Sequence, residues 1–284
     1  MKCIFVSDIH GKTKHYKKLF DIIKKEKPDG AFLGGDLLPN SFRIEINIED
    51  FIQKEITDKI KWIKKVIKKD ILFFIILGND DPRIFEKKFL DADKKNLIKY
   101  VNYKTVNFNN YLVSGYSYVP PTPFQLKDWE RYDISQFVDV GSLSPELGIR
   151  TIKVDEDEIR YSTIVNDLEK LTSNSSAGKT IFLFHAPPHN TFLDRAELDG
   201  VKVDHAPVDV HVGSIAIKRF IENKQPLLTL HGHIHESTRL TGHWMEKIGK
   251  TFCFSAAHDG PEMALIRFDT DNLKDATREL IDIS

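Results

Sequence analysis

Cysteine is almost missing from this 284-residue chain: only Cys3 and Cys253 are present, too few for a disulfide framework. Both fall in strand-like apolar runs, where a thiol behaves as a small buried hydrophobe, so a reduced pair is expected. Long hydrophobic runs are absent as well. No segment approaches the roughly 20 apolar residues that a membrane-crossing helix needs, and no membrane partner is expected. An excess of one charge is lacking too: 41 Lys and Arg against 42 Asp and Glu give a net charge of -1, which provides no global basic field for nucleic acid. The opening run Met1-Lys2-Cys3-Ile4-Phe5-Val6 is far shorter than a secretory core and soon meets Asp8, so the expected location is the cytoplasm. No internal repeat or low-complexity linker divides the chain. At 41% hydrophobic and 29% charged residues the composition is that of a globular protein with a well-buried core, expected here as a single domain over residues 1–284.

What is present is an ordered alternation of patterns. Lys2 to Ser7 reads as a strand, Lys14 to Lys27 as a helix stopped by Pro28, and Gly30 to Gly35 as a second strand. A helical pattern from Glu49 to Lys69 and an apolar strand from Ile71 to Leu77 follow. Strands alternating with helices imply a parallel sheet whose right-handed crossovers bring the carboxyl ends of the strands to one edge. Leu97 to Val101, Lys104 to Phe108 and Tyr111 to Ser114 read as short strands of a more antiparallel kind, with Asn109-Asn110 as a turn. Tyr116 to Arg150 is rich in Pro, Gly, Ser and aromatics without periodicity, and is expected as a loop-rich insertion at about 116–150 that either shapes a pocket or partner surface or is pinned by buried aromatics. Beyond it, Glu156 to Leu171 and Ser214 to Glu222 read as helices, residues 173–178 as a polar turn, and Thr180 to Phe184 and Leu227 to Leu230 as strands. Thr238 to Leu240, Thr251 to Ser255 and Met263 to Phe268 read as strands of a second sheet. The expected class is α/β: two packed mixed sheets with helices outside, a four-layer αββα sandwich.

Metal-binding residue types recur directly after the apolar runs. They stand in Ser7-Asp8-Ile9-His10, Gly35-Asp36, Gly78-Asn79-Asp80, Phe184-His185 and His231-Gly232-His233-Ile234-His235. Oxygen and imidazole donors at tip after tip of predicted strands are how distant sequence builds one compact site. The order Asp-x-His, Gly-Asp, Gly-Asn, lone His, Gly-His-x-His resembles the calcineurin-like metallophosphoesterases, and within them small prokaryotic-type phosphoesterases. It covers the chain from Asp8 to His235.

The resemblance implies a two-metal centre. Asp8, His10 and His235 match the ligands of one metal, Asn79, His185 and His233 those of the other, and Asp36 the bridging carboxylate. Mixed carboxylate, amide and imidazole donors suit Mn, Fe, Zn or Co better than Mg. The implied activity is phosphate ester hydrolysis by a hydroxide bridging the metals, with a small-molecule ester as substrate and a phosphodiester somewhat favoured over a monoester. Asp80 departs from the pattern, standing where many members carry a leaving-group histidine. Catalytic and structural roles remain open for it: two cations would lower its pKa and oppose proton donation. His231 either faces the site or lies buried behind it, strand alternation putting it on the same side as His233, and a supporting role is expected. Arg83 fits a helix-start ion pair better than a phosphate contact, and His189, His205, His211, His243 and His258 match no role. Two alternatives stay open. One is a noncatalytic scaffold on the same fold using the aromatic stretch Tyr116 to Phe124; the other is a metal-dependent nuclease using Lys-rich segments such as Lys61 to Lys69, against the near-neutral net charge.

Overall fold

Alternation along the central strands decides the architecture. In β1 (Lys2–Val6), Cys3 and Phe5 belong to one buried cluster and Ile4 and Val6 to another. A strand apolar on both faces must be covered twice, here by a second sheet on one side and helices on the other. The computed structural model describes residues 1–39, 47–172 and 177–283.

β2 (Gly30–Gly34), β3 (Leu72–Ile76) and β4 (Lys99–Tyr100) continue from β1 as a parallel set. β5 (Lys104–Phe108) pairs antiparallel with β6 (Tyr111–Tyr116), which runs parallel to β7 (Thr180–Phe184). After the small hairpin of β8 (Lys202–Val203) and β9 (Ala206–Pro207), β10 (Leu228–His231) lies parallel to β7. β11 (Met245–Ile248), β12 (Thr251–Ser255), β13 (Met263–Asp269) and β14 (Asn272–Ile281) complete the strands. One six-stranded sheet has the order β14-β13-β1-β2-β3-β4 and the other β11-β12-β10-β7-β6-β5.

Between the sheets lie Phe5, Phe32, Phe74, Phe108, Ile181, Leu183, Leu230, Phe254 and Phe268. Phe74 meets Phe32 and Phe108 with ring centroids 4.9 Å apart in each case, contacts that contribute roughly 0.5–1.5 kcal/mol each beyond area burial. The alternate residues of the same strands face helices. Tyr16, Leu19, Phe20 and Ile23 form the buried stripe of α1 (Thr13–Glu26), which ends at Lys27 in the left-handed region just before Pro28. Phe182 packs edge-on against Phe220 of the helix Ile215–Lys224, 4.8 Å between centroids. Two mixed sheets flanked by helices are thus the expected fold class.

Several local expectations are corrected. Thr238 to Leu240 is helical, within Ser237–Thr241, closed by Gly242 at φ +74 with its N–H on Thr238 O. Met263–Asp269 joins the first sheet, antiparallel to β1, so only Thr251–Ser255 of that group lies in the second. The pattern over 49–69 becomes helix Ile48–Phe51, a π-helical turn Ile52–Thr57 and helix Asp58–Val66. The helix expected over 156–171 is broken in two, Glu156–Tyr161 and Ile164–Thr172, because Ile164 N donates to Tyr132 O in place of a helical carbonyl. Lys99–Tyr100 is parallel to its neighbour β3. The helix Glu86–Lys94 and the strands β8, β9, β11 and β14 carried no sequence reading of their own. Of the expected turn at 173–178, residues 173–176 lie outside the described set.

Residues 117–155, between β6 and the next helix, form no named helix or strand but are pinned throughout. Single bridges join Val119 to Glu130, Leu126 to Ile149 and Tyr132 to Thr163. Trp129, Tyr118 and Val119 are buried, as is a Lys127–Glu130 ion pair. No helix among the described residues is long and apolar enough to cross a membrane.

Candidate metal centre

Parallel strands deliver their following residues to one edge. Asp8 follows β1, Asp36 follows β2, Asn79 follows β3, His185 follows β7, and His233 and His235 follow β10. The chain must turn sharply there, and Asp8, His10, Asp36 and His233 all adopt positive φ, at +56°, +47°, +52° and +75°. A left-handed non-glycine residue costs of order 1 kcal/mol or more, and such residues cluster where a site holds them in place. The turns also hold one another: Asp8 N, His10 N and Gly11 N donate to the carbonyls of Gly35, Asp36 and Leu37, and Gly232 N to that of His185.

All seven residues expected as ligands meet in one continuous cluster. His10 Nε2 lies 3.2 Å from His235 Nε2 and 3.9 Å from Asp36 Oδ2. His235 Nε2 is 3.4 Å from Asp8 Oδ1. On the other side of Asp36, His185 Nε2 is 3.2 Å from its Oδ2 and 3.0 Å from Asn79 Oδ1. The His233 ring centroid lies 5.2 Å from that of His185, and the His233 backbone N–H donates to Asp8 Oδ1. Asp36 therefore stands between two groups of donors. Close approach depends on glycine: a Cβ at Gly78 would lie 2.3 Å from Asp36 Oδ1, and one at Gly35, where φ is +96°, 2.6 Å from His185 Nδ1.

The charges are arranged for cations. Burial pushes the Asp36 carboxyl up, but His185 and then His10 overcome it and hold Asp36 well below the usual carboxylate range. Burial likewise opposes, and His235 outweighs, in Asp8, which is also lowered. Against the effect of burial, Asp36 raises His185 to about 10 and Asp8 raises His235 to about 9. Burial first, and then the neighbouring His185, lowers His233 to about 3; burial also lowers His10. Two buried carboxylates thus remain anionic against imidazoles that compete for protons, and a bound cation would displace those protons.

One atom tests the fit directly. Asp8 Oδ2 is buried and has no hydrogen-bond partner among the described residues, an arrangement that is costly for a carboxylate oxygen without a cation or donor. Donor atoms of Asp8, His10, Asp36 and His235 all lie within 4.8 Å of one another. The residues fit a metal ion. A family model described as calcineurin-like phosphoesterase matches residues 1–237. The chain belongs to the calcineurin-like phosphoesterase family.

Within this metal-dependent family, the chain is 38% identical over 99 residues to the uncharacterized protein MJ1162 of Methanocaldococcus jannaschii. That stretch is 34% of this chain and 36% of the relative, so the match spans about a third of the relative's length. Among solved structures, TT1561 of Thermus thermophilus is similar at a TM-score of 0.57 and 15% identity, over 99% of each chain. A dimetal phosphatase from Danio rerio is similar at 0.54 and 10%, over 100% of this chain and 96% of that one. At these identities the two structures bear on fold alone.

The remaining site residues of this family member are placed as follows. Asp80 N donates to Asp36 Oδ1 at 2.8 Å, and the Asp80 side chain accepts from Asn79 Nδ2 and stands 3.7 Å from His10 Nδ1. Asp36 first, and then burial, pushes the Asp80 carboxyl up to about 7; cations among these groups would pull it down again. Both ring nitrogens of His231 are engaged, Nδ1 with Ala186 O and Nε2 with Thr229 Oγ1, and the ring stacks on Phe184. It thus holds the backbone of the residue after His185. Arg83 pairs with Glu86 and lies over the Trp129 ring. His189, His211 and His258 pair with Asp209, Asp194 and Glu262.

Sequence reasoning passed over Asp81. Its side chain is fully buried and accepts from three backbone N–H groups, those of Leu37, Leu38 and Gly78. The available signal was only a second acidic residue directly after Asn79-Asp80, in the turn that follows β3.

Proposed function

We propose that this chain is a dinuclear metal-dependent phosphoesterase acting on small-molecule phosphate esters, with diesters favoured over monoesters, and that residues 1–284 act as one domain. Asp8, His10 and His235 would hold one transition-metal ion, Mn, Fe, Zn or Co, and Asn79, His185 and His233 the other, with Asp36 between them. Two cations supply charge neutralisation at the phosphoryl group and a water acidic enough to ionise near neutral pH. The observation that carries the reading is the bare Asp8 Oδ2 within the mutual donor cluster.

The chain's own residues then orient and hold. His185 Nδ1 lies 2.8 Å from Gly34 O. A carbonyl only accepts, so Nδ1 keeps its proton, and Nε2 is the nitrogen that would present its lone pair to a cation once the cation displaces the second proton. Asp80 borders His10 at the partly open side of the cluster, where it orients His10 or a water. The scaffold alternative loses its patch: Tyr116 and Tyr118 are buried, leaving Phe124 as the exposed aromatic of that stretch.

The test is elemental analysis of the purified chain together with hydrolysis of one aryl phosphodiester and one aryl monoester across added Mn, Fe, Zn, Co and Mg. About two metals per chain with metal-dependent turnover is expected, and Asp36→Asn should lose both. Absence of bound metal and of turnover in the wild-type chain, identical to Asp36→Asn, overturns the reading.

A further inference from the structure

The loops carrying Asp36 and Asn79 come from different strands, and their separation sets the spacing of the proposed metal ligands. Asp81 belongs to the Asn79 loop and reaches across to the Asp36 loop. Its Oδ1 accepts from Leu37 N at 2.9 Å and Leu38 N at 2.7 Å, and its Oδ2 from Gly78 N at 2.9 Å. Leu37 directly follows Asp36, and Gly78 directly precedes Asn79. One carboxylate thus grips the backbone beside a ligand on each loop, and its Oδ2 joins the two, accepting from Leu37 N at 3.1 Å as well as from Gly78 N. A carboxylate suits this task because both oxygens accept; an asparagine would turn an NH2 group towards one set of N–H donors.

The grip is itself held from the 116–150 stretch. Trp129, fully buried, donates from Nε1 to the Asp81 backbone carbonyl at 2.8 Å. The residue before it, Asp128, accepts from Arg83 N at 2.8 Å and from Thr151 N. The two backbone groups captured on the metal-side loop, Asp81 O and Arg83 N, are therefore taken by adjacent insertion residues. The Arg83 guanidinium covers the outer face of the same indole, 5.0 Å from its centroid.

We infer that Asp81 is a positioning residue that fixes the loops of Asp36 and Asn79 at metal-binding distance, and that Trp129 is its outer support. The 116–150 insertion is thereby a buttress of the metal centre. This rests on the two-metal reading above, and it accounts for a buried acid and a buried indole that the ligand set leaves without a role.

The experiment measures Mn2+ affinity by equilibrium titration, alongside thermal unfolding, in the full chain and three variants. Asp81→Asn removes part of the grip, Trp129→Phe removes the indole N–H and some ring volume while keeping an aromatic ring, and Phe268→Leu weakens the intersheet core beside Cys3, at the opposite end of β1 from Asp8. Support of this kind typically changes metal affinity about 10- to 100-fold. The expected result is a loss in that range for Asp81→Asn, a smaller loss for Trp129→Phe, and wild-type affinity with lowered Tm for Phe268→Leu. The Mn2+ concentration for half-maximal turnover should rise by the same factors, with kcat at saturating Mn2+ changing less. If Asp81→Asn does not fold, Trp129→Phe carries the test. Wild-type affinity in the variants, with only Tm lowered, overturns the inference and leaves the proposed function standing. If the wild-type chain binds none of Mn2+, Fe2+, Zn2+ and Co2+, both readings are overturned.

Discussion

Nε2 of His185 lies 3.2 Å from Oδ2 of Asp36, so a residue at the tip of a strand in one sheet touches a residue at the tip of a strand in the other. That contact closes the edge of the sandwich into a single site. It is possible only because no side chain intervenes at Gly35 or Gly78.

Alanine at either glycine should therefore damage the site. At Gly78 the added carbon meets Asp36 Oδ1 at 2.3 Å and the Asp36 backbone N at 2.5 Å, and neither is the end of a flexible chain. Gly78→Ala should lower stability by roughly 1–3 kcal/mol, the usual scale of overpacking, and displace Asp36. Urea unfolding and Mn2+ titration check this; wild-type values in both would show that the loop yields freely.

His231 gives the opposite pattern. Its ring touches Ala186 O, Thr229 Oγ1 and the Phe184 face, none of them a proposed ligand atom. His231→Phe keeps a ring but strands two polar groups, at a cost of about 1–3 kcal/mol each at most. Tm should fall while Mn2+ affinity changes much less than in Asp81→Asn. A lost metal with an unchanged Tm would place His231 in the centre itself.

The Lys127–Glu130 pair makes stability depend on pH. Burial pushes the Glu130 carboxyl up from 4.5 to about 7, against the pull of Lys127. The folded pKa lies above the unfolded one, so in between the folded chain keeps a proton that the unfolded chain has released. This stabilising contribution is full below about pH 4.5 and is lost as pH rises through about 7, with a span of up to about 3 kcal/mol. Glu130→Gln should flatten the fall in urea midpoint between pH 5 and pH 8, and an unchanged slope sinks the assignment. Lys127→Met, which leaves the buried carboxyl without its cation, should cost about 3–5 kcal/mol.

The two thiols should be inert in the folded chain. Burial pushes Cys253 up to about 12 and raises Cys3 as well, and both side chains are enclosed. A thiol reagent at pH 8 should label neither before unfolding and both afterwards. Rapid labelling of the native protein would contradict the packing of β1 or β12.

Much of the candidate site was legible because its signals are local. A metal-binding residue directly after an apolar run needs only the strand to be real, and the strands before Asp8, Asp36, Asn79, His185 and His233 all are. Asp81 was harder to read. Its significance lies in three N–H donors, two of them more than forty residues away, and no pattern around Asn79-Asp80-Asp81 announces them. Tyr118 illustrates the same limit: a proline- and aromatic-rich stretch is equally compatible with an exposed patch and a pinned loop, and only its packing against Tyr116, Trp129 and Arg131 chose between them.

The sequence by itself determined the order of the central strands and helices and the chemistry at their tips, because periodicity and residue type are properties of neighbours along the chain. Tertiary structure decided what depends on partners. Met263–Asp269 joined the first sheet because its pairing edge is β1, and the helix after residue 155 broke because Tyr132 O captured Ile164 N. Asp8 Oδ2 is buried without a donor among the described residues, which no feature of the neighbouring sequence announces. A backbone hydrogen bond can be made to any strand edge within reach, and which edge arrives is settled only when the whole chain is packed.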